Sequence, residues 1–170
     1  MATDASLDRG KWANLPWLAV SAVVVLLDQL TKIWALQTLR YAEPVPVIPG
    51  LNWTLVYNRG GAFSLFHSAD GWQTVFFLAV ACTISVVLLV WLWREPARGW
   101  LPRVPIVMII GGAVGNVIDR LRYGHVIDFI DVYVSDWHWP AFNIADSAIS
   151  VGVMLLLAYE VFFRGSAGPK

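Results

Sequence analysis

Charged residues are scarce in this chain of 170 residues. They make up 14% of it, against 58% hydrophobic residues and a mean hydropathy of +0.60. Soluble domains usually carry about 25% charged and about 45–50% apolar residues. The 12 basic and 12 acidic residues cancel, so no net field attracts nucleic acid. The composition therefore excludes a disordered protein and favours a membrane protein.

Residues and motifs of several catalytic classes are also missing. The single cysteine, Cys82, excludes an internal disulfide framework and a multi-cysteine metal site. The three histidines are scattered and form no His-Glu-x-x-His pattern, so a zinc protease is not expected. The chain has no Gly-x-Ser-x-Gly nucleophile elbow and no phosphate-binding loop. We expect neither a metal nor a cofactor.

Four apolar segments are present instead: residues 17–36, 72–93, about 101–121 and 142–163. A bilayer core of about 30 Å needs about 20 apolar residues of helix, so the pattern predicts four transmembrane helices. The first segment is alternatively a cleaved signal peptide. That interpretation is weaker, because the segment is longer than a signal peptide and has no small-residue cleavage site after it.

The two loops outside the membrane contain strand-forming sequence. Three prolines, Pro44, Pro46 and Pro49, forbid helix, while residues 51–57 and 126–134 are rich in strand formers. We therefore predict an all-α polytopic membrane protein with four transmembrane helices and a small extracytoplasmic sheet. The chain is expected to be one domain over residues 1–170, with disordered tails at about 1–8 and 166–170.

The distribution of Lys and Arg predicts the orientation. Seven of these residues lie in the N-terminus, the middle loop and the C-terminus, against four in the other two loops. Cytoplasmic loops carry the excess of positive charge, so both termini are expected in the cytoplasm.

Ionisable residues inside the spans are candidates for function, because burying each one in a membrane costs free energy. Asp28 and Lys32 lie four residues apart on one helical face. They form either a structural ion pair, with Lys32 snorkelling to the interface, or a polar wall beside a site. Asn116 and Arg120 form a second polar ridge. Asp119 beside them is expected to be structural, in an ion pair or as a helix-end charge.

Two further carboxylates are placed at the outer membrane surface. Asp146 shares a helical face with Asn143 and Ser150, and Asp128 lies 18 residues before Asp146 in the strand-forming loop. If the loop brings the two acids together, they share a proton and can activate water as general base and general acid. The alternative is two unrelated interfacial acids. Asp131, on the opposite face of the strand, is interpreted as solvated or supporting.

Five sequence motifs occur in an order and spacing that resembles the lipoprotein signal peptidase (signal peptidase II) family. They are Asp28-Gln-Leu-Thr-Lys32, Asn58-Arg-Gly-Gly-Ala-Phe-Ser64, Gly111-Gly-Ala-Val-Gly-Asn-Val-Ile-Asp-Arg120, Gly124-His-Val-Ile-Asp-Phe-Ile-Asp131 and Phe142-Asn-Ile-Ala-Asp-Ser147. They are spread over residues 28–147, about 120 of the 170 residues.

This resemblance implies an intramembrane aspartic endopeptidase of the bacterial inner membrane. Its substrates would be prolipoproteins that carry diacylglycerol on a cysteine, cut just before that cysteine near the periplasmic face, and its inhibitor would be globomycin. The implied fold has four spans in contact with membrane lipids, a small β-cradle, and an interfacial loop or helix. The apolar loop residues Phe63, Leu65 and Phe66 would cover the site or dip into the lipid. The implied catalytic pair is Asp128 and Asp146. The residues implied to line the site are Asn58, Gly60, Asn116, Arg120 and Asn143. Asp28 and Lys32 belong to a motif whose implied role is supporting.

A non-catalytic scaffold or a small transporter remains the alternative. In a transporter, the ionisable residues would relay protons or bind a solute near the midplane. Four spans without an inverted repeat argue against it.

Overall fold

The computed structural model describes residues 14–59, 72–94 and 101–164. In these ranges the chain forms four α-helices and the four strands of one small sheet. They are α1 (Leu18–Thr38), β1 (Val45–Ile48), β2 (Leu51–Asn58), α2 (Trp72–Arg94), α3 (Arg103–Tyr123), β3 (Val126–Val134), β4 (Trp137–His138) and α4 (Ile144–Tyr159). A 3₁₀ turn, Leu15–Trp17, precedes α1, and a π-helical turn, Glu160–Arg164, extends α4.

All four helices are long and apolar enough to cross a membrane. The four predicted spans are therefore confirmed, with ends that shift by about one turn or less. The tails at 1–8 and 166–170 and the interfacial loop with Phe63, Leu65 and Phe66 lie outside the described residues.

Helix α3 is the central span, because three glycines let its neighbours approach closely. A Cβ on Gly111 would lie 2.9 Å from the carbonyl oxygen of Ser21 in α1, and one on Gly112 would lie 2.8 Å from Ile149 Cγ1 in α4. A Cβ on Gly115 would lie 2.5 Å from Asp28 Oδ2. In lipid no hydrophobic force drives helices together, so they are held by van der Waals packing. Small residues at such crossings allow the close approach that this packing needs.

The small sheet is antiparallel in the order β1-β2-β3-β4. The predicted strands at 51–57 and 126–134 are confirmed as β2 and β3. The sequence did not predict β1 or β4. Strand β1 contains Pro46 but lies at the edge of the sheet, where a missing N–H is tolerated.

The sheet is fixed to the bundle at two places. Ala35 of α1 packs in a buried cluster with Leu55 of β2 and with Ile127 and Phe129 of β3. The backbone of β3 also bonds to Phe142: Ile130 N–H donates to Phe142 O at 2.9 Å, and Phe142 N–H donates back to Ile130 O at 3.1 Å. Strand β3 therefore lies beside the start of α4.

We predict that Gly112→Ala lowers the thermal stability of the purified protein in detergent. The new methyl group meets the backbone of α4 at Ala145 as well as Ile149, and overpacking of this kind typically costs about 1–3 kcal/mol. The matched control is Val114→Leu, which adds one methylene at an exposed position of the same helix. Equal melting temperatures for the two variants would contradict the close approach of α3 and α4.

Candidate active site

Asp128 is the third residue of β3 and is buried, with 1% of its surface exposed. Both of its carboxylate oxygens accept hydrogen bonds from side-chain amides. Asn143 Nδ2 donates to Oδ1 at 2.7 Å, and Asn58 Nδ2, from the end of β2, donates to Oδ2 at 3.0 Å. One residue of the sheet and the N-cap residue of α4 thus both donate hydrogen bonds to this carboxylate and fix its position.

Asp146 lies in the first turn of α4, where its position follows from a capping box. Asn143 is the N-cap: its Oδ1 accepts from the N–H of Asp146 at 2.9 Å, and its own N–H donates to Asp146 Oδ2 at 3.3 Å. The other carboxylate oxygen, Oδ1, accepts from Asn116 Nδ2 of α3 at 2.7 Å.

Asn143 joins the two carboxylates, since it bonds to Asp128 through its side chain and to Asp146 through its backbone. Its amide nitrogen also donates to Asn116 Oδ1 at 3.2 Å. The structure therefore brings Asp128, Asp146, Asn58, Asn116 and Asn143 into one cluster, and the alternative of two unrelated interfacial acids does not describe their geometry.

Burial, together with the negative charge of nearby Asp146, raises the pKa of Asp128 to about 7. Hydrogen bonds from Asn58 and Asn143 and the positive charge of Lys32 oppose this rise. A carboxyl group that is partly protonated near neutral pH beside a second carboxylate fits a pair that holds one shared proton.

A cavity of about 490 Å³ opens beside Asp146. Arg120 forms part of its wall and lies with its guanidinium 5.1 Å from the ring of Phe77 in α2. The residues that line it are Asn58, Asn116, Arg120, Val126, Trp139, Pro140, Ala141, Phe142, Asp146, Ser147, Ser150 and Val151.

Asp28 and Lys32 lie behind the carboxylate pair in a buried ionic network. Lys32 Nζ lies 2.8 Å from Asp28 Oδ2 and 2.7 Å from Asp119 Oδ2, and all three side chains are at most 2% exposed. Snorkelling of Lys32 to the interface is therefore wrong, because the ammonium turns inward to these acceptors. The expectation of an ion pair for Asp119 is confirmed, with Lys32 as its partner.

Asp131 is buried and supports the sheet, so its interpretation as a solvated residue is wrong. Burial alone would raise its pKa, but hydrogen bonds from His138, Asn52 and Thr54 outweigh burial and hold the pKa below its ordinary value. These contacts, at 2.7, 3.1 and 3.0 Å, join β2, β3 and the segment that contains β4.

Two of the predicted site residues remain, Arg120 and Gly60. Arg120 lies on the cavity wall, as its ridge with Asn116 indicated. Gly60 lies outside the described residues.

Ser150, which the helical spacing placed on one face with Asn143 and Asp146, also lines the cavity. Ser147 and Trp139 line it too, although the sequence did not assign them to the site. Ser147 lies four residues after Asn143, and that spacing was the available signal.

The fold and the site define a four-span membrane protein with two adjacent carboxylates at one end of the bundle, beside an open cavity. The family model for Signal peptidase (SPase) II matches residues 20–163. The chain therefore belongs to the signal peptidase II family.

Relatives and solved structures agree with this assignment. The chain is 50% identical over 157 residues to the lipoprotein signal peptidase of Acinetobacter baumannii, covering 92% of this chain and 89% of that protein. It is 49% identical to that of Coxiella burnetii, covering 89% of this chain and 93% of that one. A solved structure of a bacterial membrane enzyme at 2.3 Å resolution superposes with a TM-score of 0.82 and 30% identity, covering 95% and 96% of the two chains.

The raised pKa of Asp128 predicts a pH dependence of stability. Between the ordinary carboxyl pKa of about 4 and about 7, the folded protein binds more protons at this group than the unfolded chain does. Stability should therefore fall as pH rises through this window, by an amount on the order of a few kcal/mol. We predict that Asp128→Asn flattens this dependence of the melting temperature.

The matched control is Asp136→Asn, which removes an exposed carboxyl group near the end of β3. It should keep the wild-type slope of melting temperature against pH. A wild-type slope in Asp128→Asn would show that Asp128 does not carry the proton.

Proposed function

We propose that this chain cleaves the signal peptide from diacylglyceryl-modified prolipoproteins, just before the lipidated cysteine, with Asp128 and Asp146 as its catalytic pair. The observation that carries the proposal is the junction at Asn143, which bonds to both carboxylates within the chain's signal peptidase II fold. The names of its relatives, lipoprotein signal peptidase, support the substrate class.

The two carboxyl groups divide the work of hydrolysis. The ionised one takes a proton from water as the water oxygen attacks the scissile carbonyl carbon. The protonated one donates to the carbonyl oxygen. When the tetrahedral intermediate collapses, the C–N bond breaks and the leaving amine takes the proton that the base removed from water. A hydroxyl of the intermediate returns its proton to the other acid, so the pair again holds one proton. Because adjacent carboxylates cannot both ionise cheaply, the pair starts each cycle with one proton.

The polar residues around the pair would bind the extended peptide. Arg120 and Asn116 line the cavity, and Arg120 presents a guanidinium with hydrogen-bond donors for substrate carbonyls. Asn58 would contact the peptide from the end of β2, and Asn143 would keep both acids oriented. The family resemblance assigns Gly60 to substrate binding as well. Globomycin, a peptide antibiotic, would inhibit by occupying the same cavity.

The proposed location is the bacterial inner membrane, with both termini in the cytoplasm and the site near the periplasmic face. Asp146 lies in the first turn of α4, and Asp128 follows closely after the end of α3, so both acids lie at the ends of spans. A transporter would need its charges near the midplane. The scissile bond next to a lipid-anchored cysteine would also lie at the membrane interface. There the substrate would contact membrane lipids on one side and the β-cradle on the other.

The substrate class is tested with two forms of one prolipoprotein, one carrying diacylglycerol and one unmodified. We expect the purified protein to cleave the lipidated form alone, and globomycin to block the cleavage. Equal cleavage of both forms would contradict the proposed specificity.

We predict that Asp128→Asn and Asp146→Asn each reduce turnover of the lipidated substrate by about 10²–10⁴-fold or more. An amide keeps the size of the side chain but cannot cycle as base and acid. Because the two acids act as a unit, the double variant should be scarcely slower than either single one.

Two controls accompany this measurement. Asp136→Asn should keep wild-type turnover, and Asp131→Asn should keep a substantial part of it, since Asp131 bonds to the sheet instead of to the pair. Globomycin binding and melting temperature check folding. Near-normal turnover by a folded Asp128→Asn or Asp146→Asn variant would remove that residue from the catalytic pair.

We predict that hydrolysis proceeds without a divalent metal. All four carboxylate oxygens of the pair accept hydrogen bonds from N–H donors, namely those of Asn58, Asn116 and Asn143. Turnover should therefore survive EDTA. Loss of turnover with EDTA and recovery with a divalent ion would replace the aspartic mechanism with a metal-assisted one.

The orientation is tested with single cysteines at Ser68, Asp136 and Ala97 in a full-length Cys82→Ser background. We predict that a membrane-impermeant maleimide labels positions 68 and 136 from the periplasmic side, and position 97 only after the inner membrane is opened. Labelling of position 97 from the periplasm would reverse the proposed topology.

A further inference from the structure

The ammonium group of Lys32 contacts three acceptors in a buried site. Its Nζ lies 2.8 Å from Asp28 Oδ2 and 2.7 Å from Asp119 Oδ2, and it donates to Asn116 Oδ1 at 3.1 Å. Lysine carries three N–H donors, so these three acceptors satisfy it completely.

Two of these acceptors hold the backbone beside the catalytic pair. Asp28 Oδ1 accepts from the N–H of Ala145, the residue before Asp146, at 2.9 Å. Asp119 Oδ2 accepts from the N–H of Ile127, the residue before Asp128, at 3.1 Å.

The third acceptor reaches the pair directly. With its oxygen engaged by Lys32 and Asn143, the Asn116 amide turns its nitrogen to Asp146 Oδ1 at 2.7 Å. Each acceptor of Lys32 therefore leads, in one further hydrogen bond, to a catalytic carboxylate or to the peptide that precedes one.

Holding α1 against α3 does not by itself require a buried lysine with two carboxylates and an amide around it. Buried ion pairs stabilise proteins weakly, because desolvation offsets most of the attraction between the charges. The glycine crossing of α1 on α3 already brings these helices together, and Gly115 leaves the space that Asp28 occupies.

We propose that Lys32 is the positioning residue of the catalytic pair: through Asp28, Asp119 and Asn116, its ammonium sets how Asp128 and Asp146 face each other. This inference rests on the proposed function, because it assumes that these two acids perform the chemistry. The contacts of the Lys32 ammonium are with Asp28, Asp119 and Asn116, so it would act on the catalytic pair through these three side chains.

The main test is the double variant Asp28→Asn/Lys32→Met. It removes one negative and one positive charge, so the net charge of the buried network stays the same, and the asparagine introduced at position 28 retains an oxygen for the N–H of Ala145. The control is Arg40→Met, which breaks an exposed ion pair with Glu43 just beyond the end of the same helix. Turnover of the lipidated substrate is measured against substrate concentration and against pH.

We expect kcat of the double variant to fall by about 10²-fold with little change in KM, since a displaced catalytic group costs rate and not substrate affinity. We also expect the width of its pH–rate profile to change, because that width reports how strongly the two acids interact. Arg40→Met should match the wild type in both. A folded double variant with wild-type kcat and an unchanged profile would overturn the proposal.

If the double variant does not fold, Asp119→Asn provides the test. It keeps Lys32 and an oxygen for the N–H of Ile127 but removes the ionic attraction between them. We expect a kcat reduced by about tenfold or more and an altered pH profile, and a folded Asp119→Asn protein with wild-type kinetics would overturn the proposal. Loss of turnover in Asp128→Asn and Asp146→Asn, together with normal kinetics in these network variants, would leave the catalytic pair standing and reject the role of Lys32 alone.

Discussion

The buried ammonium of Lys32 is the interaction on which the arrangement of this protein's polar interior depends. Its two ion pairs, to Asp28 and Asp119, join α1 to α3. Each of those carboxylates also accepts a backbone N–H, from Ala145 at the start of α4 or from Ile127 in β3. The hydrogen bonds and ion pairs around this one charge thus connect groups from three helices and a strand, at a place where an unpaired charge would be very costly.

The carboxylate pair lies in front of this network and obeys a different constraint. Sharing a proton requires burial, whereas the proposed hydrolysis requires access to water and to an extended peptide. The structure meets both needs by placing Asp128 on a strand and Asp146 in the first turn of a helix, next to an open cavity. Asparagine side chains surround the pair, and their N–H donors stabilise the ionised carboxylate without adding a charge. These hydrogen bonds oppose the rise that burial causes in the pKa of Asp128 but do not cancel it.

Much of the fold follows from local sequence. The four spans are legible because each is an apolar segment of bilayer length, and β2 and β3 because strand-forming residues cluster between turn residues. Strands β1 and β4 were missed for physical reasons. Pro46 opposes strand formation except at an edge, and the two residues of β4 carry too little pattern to be seen. Only the pairing of each with a longer neighbour makes it a strand.

Composition, periodicity and short motifs were enough to establish the membrane class, the number of spans, the candidate acids and the family resemblance. They also indicated that Asp28 and Lys32 share a helical face. Three features emerged only once the helices and the sheet were packed: Lys32 turns inward to Asp119, Asp131 is buried in the sheet, and Asn143 joins Asp128 to Asp146. These contacts connect residues from different elements, and no local pattern carries the distance between two helices. The glycines of α3 set that distance, so the direction of each buried polar side chain depends on how closely the helices approach.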